Sequence, residues 1–297
     1  MAAEKNCILL TEGTGQGESS DISNVTLLAN TLVQDERQVF NLLPGPGVNT
    51  FAKLSAWALG RGIIDRVVSH YEFLSKEYVK ANGKLKIFLF GFSRGALIAR
   101  CLADLICKTG IPLDANLARR ILKYHRGNCR EDLKSLREKG KLSDPQMVEY
   151  LGVWDTVDAS LEVRGEKLID VPELVKKARH AVAADEKRCF FEPVVMRGKN
   201  CEEKFFPGVH QDIGGGYSDN HLLSDVCLAW IANPAIKAGM LVKSGVSFSE
   251  KCDYKKAVIH DSSTSASNLF GILPTVKRFI DFKRAHSSLL AMGNRER

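Results

Sequence analysis

The chain has 297 residues and a mass of 32.8 kDa, with 44% hydrophobic and 26% charged residues, a balance that excludes wholesale disorder. Lysine and arginine number 42 against 35 acidic residues, a formal charge of +7. That excess is too mild to demand a nucleic acid, and none is expected, but it leaves room for an anionic partner. The eight cysteines form no CxxC pair, so neither a structural zinc nor a thioredoxin-like redox site is expected, and single cysteines in apolar runs read as reduced core residues.

In chain order, the apolar run Ile8–Leu10 is too short for a secretory signal or a membrane span. The expected setting is cytoplasmic, or export without a signal peptide. Residues 6–11 (NCILLT) read as a buried strand, followed by a polar loop that begins Glu12-Gly13-Thr14. Ser23 is the expected N-cap of a helix over 24–33. Residues 38–43 suit a second strand, halted by Pro44-Gly45-Pro46-Gly47. Ile64, Val67, Val68, Tyr71, Leu74 and Tyr78 recur at spacings of three and four, which predicts an amphipathic helix over 63–80.

The continuous apolar run 85–90 predicts a strand covered on both faces, and a helix over 94–107 follows at once. Residues 113–142 read as helices with a charged face, 147–154 as a strand, 172–182 as a helix, 191–196 and 204–209 as strands, and 221–232 as a helix after a glycine-rich turn at 214–216. This alternation predicts an α/β fold, a mainly parallel central sheet flanked by helices, with the whole chain as one domain. The insertion 113–142 is the candidate for a helical cap.

Residues 89–96 read Leu-Phe-Gly-Phe-Ser-Arg-Gly-Ala. The pattern G-x-S-x-G is weak alone, but here a buried strand leads in and an apolar helix leads out, the setting of a nucleophile elbow. Ser93 is the candidate nucleophile, with the dipole of the following helix beneath it. A serine needs a base and the base an orienting carboxylate, in the chain order Ser, acid, His. His210 directly follows a strand-like run and precedes a glycine-rich loop; His180, His221, His260 and His286 are its competitors. Asp155 ends the strand 147–154, where carboxylates face the ligand crevice of a parallel sheet; Asp158 and Asp185 are rivals. The oxyanion would meet the backbone amide of Arg94 and one from Gly13 or Thr14. The glycines of that loop match neither G-x-G-x-x-G nor a P-loop, so no nucleotide is expected.

Several segments taken together resemble one family. They are Glu12-Gly13-Thr14 with Asn24-Val25, Pro46-Gly47-Val48, Gly60-Arg61-Gly62, Phe88 to Ala96, Gly152-Val153-Trp154-Asp155-Thr156-Val157, His180-Ala181 with Asp185-Glu186, Phe206-Pro207-Gly208-Val209-His210, Asp212 to Tyr217, and His260-Asp261-Ser262. They look like the α/β-hydrolase domain of the type VI secretion phospholipase effectors. The resemblance implies an α/β-hydrolase-like fold and a triad of Ser93, Asp155 and His210. One departure is Glu12, where the family has aspartate; another is size, since the effectors carry large extra membrane-facing segments.

The expected function is that of a serine ester hydrolase, phospholipase or lysophospholipase first, with no metal and no organic cofactor. A soluble esterase or thioesterase on a smaller acyl group is the alternative, and a hydrolase fold kept as a binding module is a third reading. Between Arg119 and Leu142 nine cations face three anions, so this stretch carries +6 of the net charge. If it roofs the site, Arg126, Arg130 and Lys134 become candidate substrate-binding residues and a point of peripheral contact with an anionic membrane. The sequence leaves the oligomeric state open.

Overall fold

Neighbouring residues of each strand face opposite sides of one sheet, and both sides are apolar. The computed structural model describes residues 4–14, 22–46, 62–158, 168–262 and 277–292; Gly47, Val48, Gly60 and Arg61 lie outside them. Six strands, β1 (Lys5–Thr11), β2 (Gln38–Leu43), β3 (Leu85–Phe92), β4 (Tyr150–Trp154), β5 (Ala178–Ala183) and β6 (Cys201–Phe206), lie in the order β2-β1-β3-β4-β5-β6. Every pairing is parallel. A parallel sheet needs crossovers, and these place helices on both faces.

Cys7, Leu9, Ile87, Leu89, Leu151 and Val153 face α2 (Ile63–Lys80) and α3 (Arg94–Thr109). Their neighbours Ile8, Leu10, Phe88, Phe90, Tyr150 and Trp154 face the other way, against α1 (Asn24–Thr31) and residues of the long helix Leu222–Lys237. This period of two on doubly buried strands makes the runs look uniformly apolar in sequence. Ser23 caps α1 as expected, its side chain accepting from the amides of Val25 and Thr26.

Two stretches depart from expectation. Residues 178–182 fall in an expected helix but form β5, a central strand between β4 and β6. Its sequence, Ala-Arg-His-Ala-Val-Ala, is alanine-rich and buried on both faces, so it shows no strand alternation to read. Residues 191–196 are not a strand: Cys189–Phe191 is a short 3-10 turn and Pro193 makes only an isolated bridge to Val157, since proline cannot donate to a ladder. The following strand ends at Phe206, where Pro207-Gly208 stops it.

The insertion folds into two helices, α4 (Ala118–Arg126) and α5 (Arg130–Glu138), but they do not roof the elbow. Their apolar stripe (Ile121, Leu122, Leu133, Leu136) joins the α2–α3 cluster. His125 reaches Thr109 and Asp104, and the Arg137 guanidinium donates to the carbonyl of Thr109. Thr109 is the last residue of α3, and sixteen helical residues put it about 24 Å from Ser93 at the other end. The exposed Arg126, Arg130 and Lys134 therefore belong to the far end of α3, and the expectation of a basic cap over the serine is corrected. Among the described residues no helix is long and apolar enough to cross a membrane.

Candidate active site

Register brings the strand ends together. Thr11 pairs with Gly91, Phe92 with Trp154, Trp154 with Ala181 and Ala183 with Phe206. The residues that follow these strands therefore emerge along one edge: Glu12-Gly13-Thr14 after β1, Ser93 after β3, Asp155 after β4, and His210 after the turn that ends β6. The chain leaves β1 toward β2 and returns to β3 on the other side, and such a reversal opens a crevice at the carboxyl ends.

Ser93 has φ 59° and ψ −124°. Its amide donates to the Trp154 carbonyl at 3.0 Å, and its carbonyl accepts from Ala96 at the start of α3. The flanking glycines are steric requirements: a Cβ on Gly91 would lie 2.2 Å from the Gly95 carbonyl oxygen, and one on Gly95 would lie 2.3 Å from that of Thr11. A Cβ on Gly13 would sit 3.4 Å from the Cβ of Ser93, so the loop after β1 lies against the elbow. Gly13 thus lies beside Ser93, and Arg94 opens α3 directly after it, at the positive end of that helix. Buried Glu12 fastens that loop, accepting from Ser23 Oγ at 2.6 Å and from Thr26 Oγ1. Burial raises its pKa, and the two hydroxyls partly offset this. The Thr14 hydroxyl is buried without a hydrogen-bond partner among the described residues.

Asp155 is fully buried and also has a positive φ, 36°. The other non-glycine residues with positive φ among the described ones are two asparagines, Asn82 and Asn128; asparagine and aspartate tolerate this region, so the backbone strain beside the crevice is concentrated at Ser93. Asp155 Oδ2 lies 2.6 Å from His210 Nδ1. The His210 ring packs against Phe92, the residue before the serine, with centroids 4.5 Å apart, and edge-on against Phe191. Burial opposes ionisation of Asp155, but the Arg278 guanidinium and His210 outweigh it and hold the carboxyl far below its usual range. Burial likewise lowers the pKa of His210, with Asp155 offsetting part of the shift.

The turn that presents His210 is braced on three sides. His210 begins the short helix α6 (His210–Gly214), and Asp212 accepts from the Val209 amide at 2.9 Å, capping it. Asp212 also bonds His260 Nδ1 at 2.5 Å. Asp185 accepts from the Gly208 amide at 2.7 Å. Glu186 accepts from the His210 amide and from Ser262 Oγ, and pairs with Arg188; burial opposes its ionisation, and Arg188 nonetheless draws its pKa down to about 2.

The rivals from sequence have other partners. Asp185 braces the turn rather than the imidazole. Asp158 is exposed. His180 lies on β5, not in a helix, with Nδ1 on Glu203 and Nε2 accepting from the Thr156 amide. His221 is exposed beside Asp225, and His286 stacks on Phe206. Sequence reasoning missed Arg278, whose guanidinium donates to both oxygens of Asp155; 123 residues separate them and no local pattern marks the arginine.

Residues 5–234 match the family described as T6SS, Phospholipase effector Tle1-like, catalytic domain. An uncharacterized protein of Saccharomyces cerevisiae is 30% identical over 99 residues, covering 32% of this chain and 13% of that protein. Among solved structures, an uncharacterized protein from Pseudomonas aeruginosa aligns with a TM-score of 0.51 at 17% identity, over 80% of this chain and 46% of that one. The Tle1 effector bound to the VgrG spike of the type 6 secretion system aligns with a TM-score of 0.42 at 21% identity, over 73% of this chain and 52% of that one. The chain thus spans about half the length of these two solved chains. The likeness to the Pseudomonas protein shows a shared fold, and the six-stranded parallel sheet with helices on both faces is of the α/β-hydrolase type.

Proposed function

Because this chain belongs to the Tle1-like phospholipase effector family of type VI secretion, through the catalytic domain over residues 5–234, we propose that it is a serine ester hydrolase acting on phospholipids or lysophospholipids. The observation that carries this reading is the 2.6 Å bond from His210 Nδ1 to Asp155 Oδ2, with the imidazole packed on the residue that precedes Ser93. On this assignment Nδ1 carries the proton that faces Asp155, and Nε2 serves as the base.

In this reading Nε2 takes the proton of Ser93 Oγ as that oxygen bonds to the ester carbonyl carbon. The carbonyl electron pair moves onto oxygen, and the oxyanion meets the amides of Arg94 and of Gly13 or Thr14. Collapse of this intermediate expels the alcohol, which receives the proton from His210. Water, deprotonated by the same imidazole, then releases the acid from Ser93. Asp155 keeps the ring oriented and stabilises the imidazolium. Delivery through a secretion apparatus belongs to the same proposal.

The test is Ser93→Ala, checked for folding by circular dichroism. The variant should lose hydrolysis of p-nitrophenyl esters and labelling by a fluorophosphonate, and mass spectrometry of a treated lipid extract should show fatty acid and lysophospholipid only with the parent protein. Ester turnover without lipid products would restrict the substrate to small soluble esters. Full activity in Ser93→Ala would overturn the reading.

A further inference from the structure

Asp155 has four acceptor positions, and four donors fill them. His210 Nδ1 lies at 2.6 Å from Oδ2 and the Ala183 amide at 2.9 Å from Oδ1. Arg278 Nη1 lies at 2.7 Å from Oδ1 and Nη2 at 3.1 Å from Oδ2. The Arg278 side chain is 5% exposed. The second hydrogen on each terminal nitrogen is used as well: Nη1 donates to the Ala183 carbonyl at 2.8 Å and Nη2 to that of Phe191. One planar fork thus ties the carboxylate to the last residue of β5 and to the residue whose ring abuts His210.

A buried carboxylate opposite a neutral imidazole has no counter-charge, and unpaired burial of a charge is costly. Arg278 supplies that charge. It also decides where the carboxylate points, because its two nitrogens engage both oxygens and prevent rotation away from Nδ1. Arg278 lies beyond the family-matched stretch, which ends at residue 234. Two more residues from beyond it brace the same turn: His260 on Asp212 and Ser262 on Glu186.

Resting on the hydrolase reading above, we propose that Arg278 is a positioning residue of the catalytic centre, which fixes the Asp155 carboxylate against His210 and makes the chain after residue 234 a working part of the site. Among the described residues, the other charged groups that act on the His210–Asp155 pair are Glu186 and Arg188 after β5, which neutralise each other, while Asp212 on the same short helix as His210 is paired with His260. Loss of Arg278 therefore leaves the negative charge of Asp155 uncompensated. The imidazolium then gains stability, or Asp155 takes up a proton; both outcomes demand a higher pH before the base is active.

Arg278 lines a cavity of about 660 Å³ that it shares with Lys187, Ile259, His260 and Phe279, so a small cation can reach the space the arginine vacates. The experiment uses the full chain with Arg278→Ala and Arg278→Lys. Turnover of a p-nitrophenyl ester is followed across pH, with guanidinium or methylammonium added at low millimolar concentration. In Arg278→Ala, kcat should fall about 10- to 100-fold, the scale of a misplaced catalytic group, while KM changes little and the acid limb of kcat/KM moves to higher pH. Guanidinium should restore part of kcat and methylammonium should not. Arg278→Lys should retain the charge but lose the fork, with a smaller fall in kcat.

Unchanged kcat and pH profile in Arg278→Ala would overturn the proposal. So would a loss that guanidinium does not relieve while thermal stability drops, the mark of a purely structural role. If Arg278→Ala does not fold, Arg278→Lys decides, and parental kcat and acid limb in that variant count against the proposal. Ser93→Ala run in parallel separates the two readings: activity surviving there defeats the hydrolase assignment, whereas an inactive Ser93→Ala beside an unaffected Arg278→Ala defeats only the role of the arginine.

Discussion

Asp155 Oδ2 and His210 Nδ1 lie 2.6 Å apart although 55 residues separate them in the chain. In hydrolases this contact fixes the tautomer of the base, because a carboxylate can only accept and so keeps the proton on Nδ1 and leaves Nε2 free to accept. Replacement of Asp155 by asparagine keeps the shape and removes that preference. Asp155→Asn should lower kcat by about 10⁴-fold. It should also lower the melting temperature, because buried Arg278 loses its carboxylate. Steady-state kinetics and differential scanning calorimetry read the two effects separately.

The pH dependence has a definite sign. His210 must be neutral to act as a base. Its burial lowers its pKa from the ordinary 6.5, with Asp155 restoring part of the loss. The acid limb of kcat/KM reports the free enzyme's base, so its midpoint should lie below 6.5. The carboxyl of Asp155 is held far below its usual range and stays ionised throughout that limb. A midpoint above 6.5 in a kcat/KM profile would contradict the assignment of His210 as the base.

Gly95 leaves no space for a side chain. Its Cβ would lie 2.3 Å and 2.4 Å from the carbonyl oxygens of Thr11 and Glu12, and both belong to backbone that cannot swing aside as a side chain would. Gly95→Ala should destabilise the fold by about 1–3 kcal/mol through overpacking. It should also reduce turnover, because the backbone that gives way carries the loop to Gly13 and Thr14. Urea unfolding and kcat measured on the folded fraction test this.

The basic helices offer a negative control. Arg126, Arg130 and Lys134 are exposed and lie toward the end of α3 remote from Ser93. Replacing all three with glutamate should leave kcat/KM for a monomeric, uncharged ester unchanged at physiological ionic strength, because screening removes the interaction of exposed charges beyond about 8 Å. A severalfold change in kcat/KM would return these residues to the substrate path.

Much of this molecule is written in local pattern. The helix over 63–80 follows from apolar spacing, the N-cap at Ser23 from its hydroxyl, and the elbow from two glycines that crowding forces on either side of Ser93. The strands read as doubly buried are doubly buried. Asp155 and His210 were legible as candidates because each follows a strand, and in an all-parallel sheet every strand end reaches the same edge. Local pattern failed at β5, where burial on both faces erased the alternation that marks a strand.

The tertiary structure alone decided the rest. The basic insertion follows the serine helix in sequence, yet α3 carries it about 24 Å away, because a helix separates its two ends however close they are in number. Arg278 stands 123 residues from the aspartate it grips. An ion pair formed between a strand end and a distant segment leaves no periodicity behind, since it depends on sheet order, register and the path of the closing chain. Local sequence pattern specified the α/β class, most of its strands and helices outside β5 and residues 191–196, and the residue types that could carry the chemistry. Only folding set which charge faces which, because charges act through space and not along the chain.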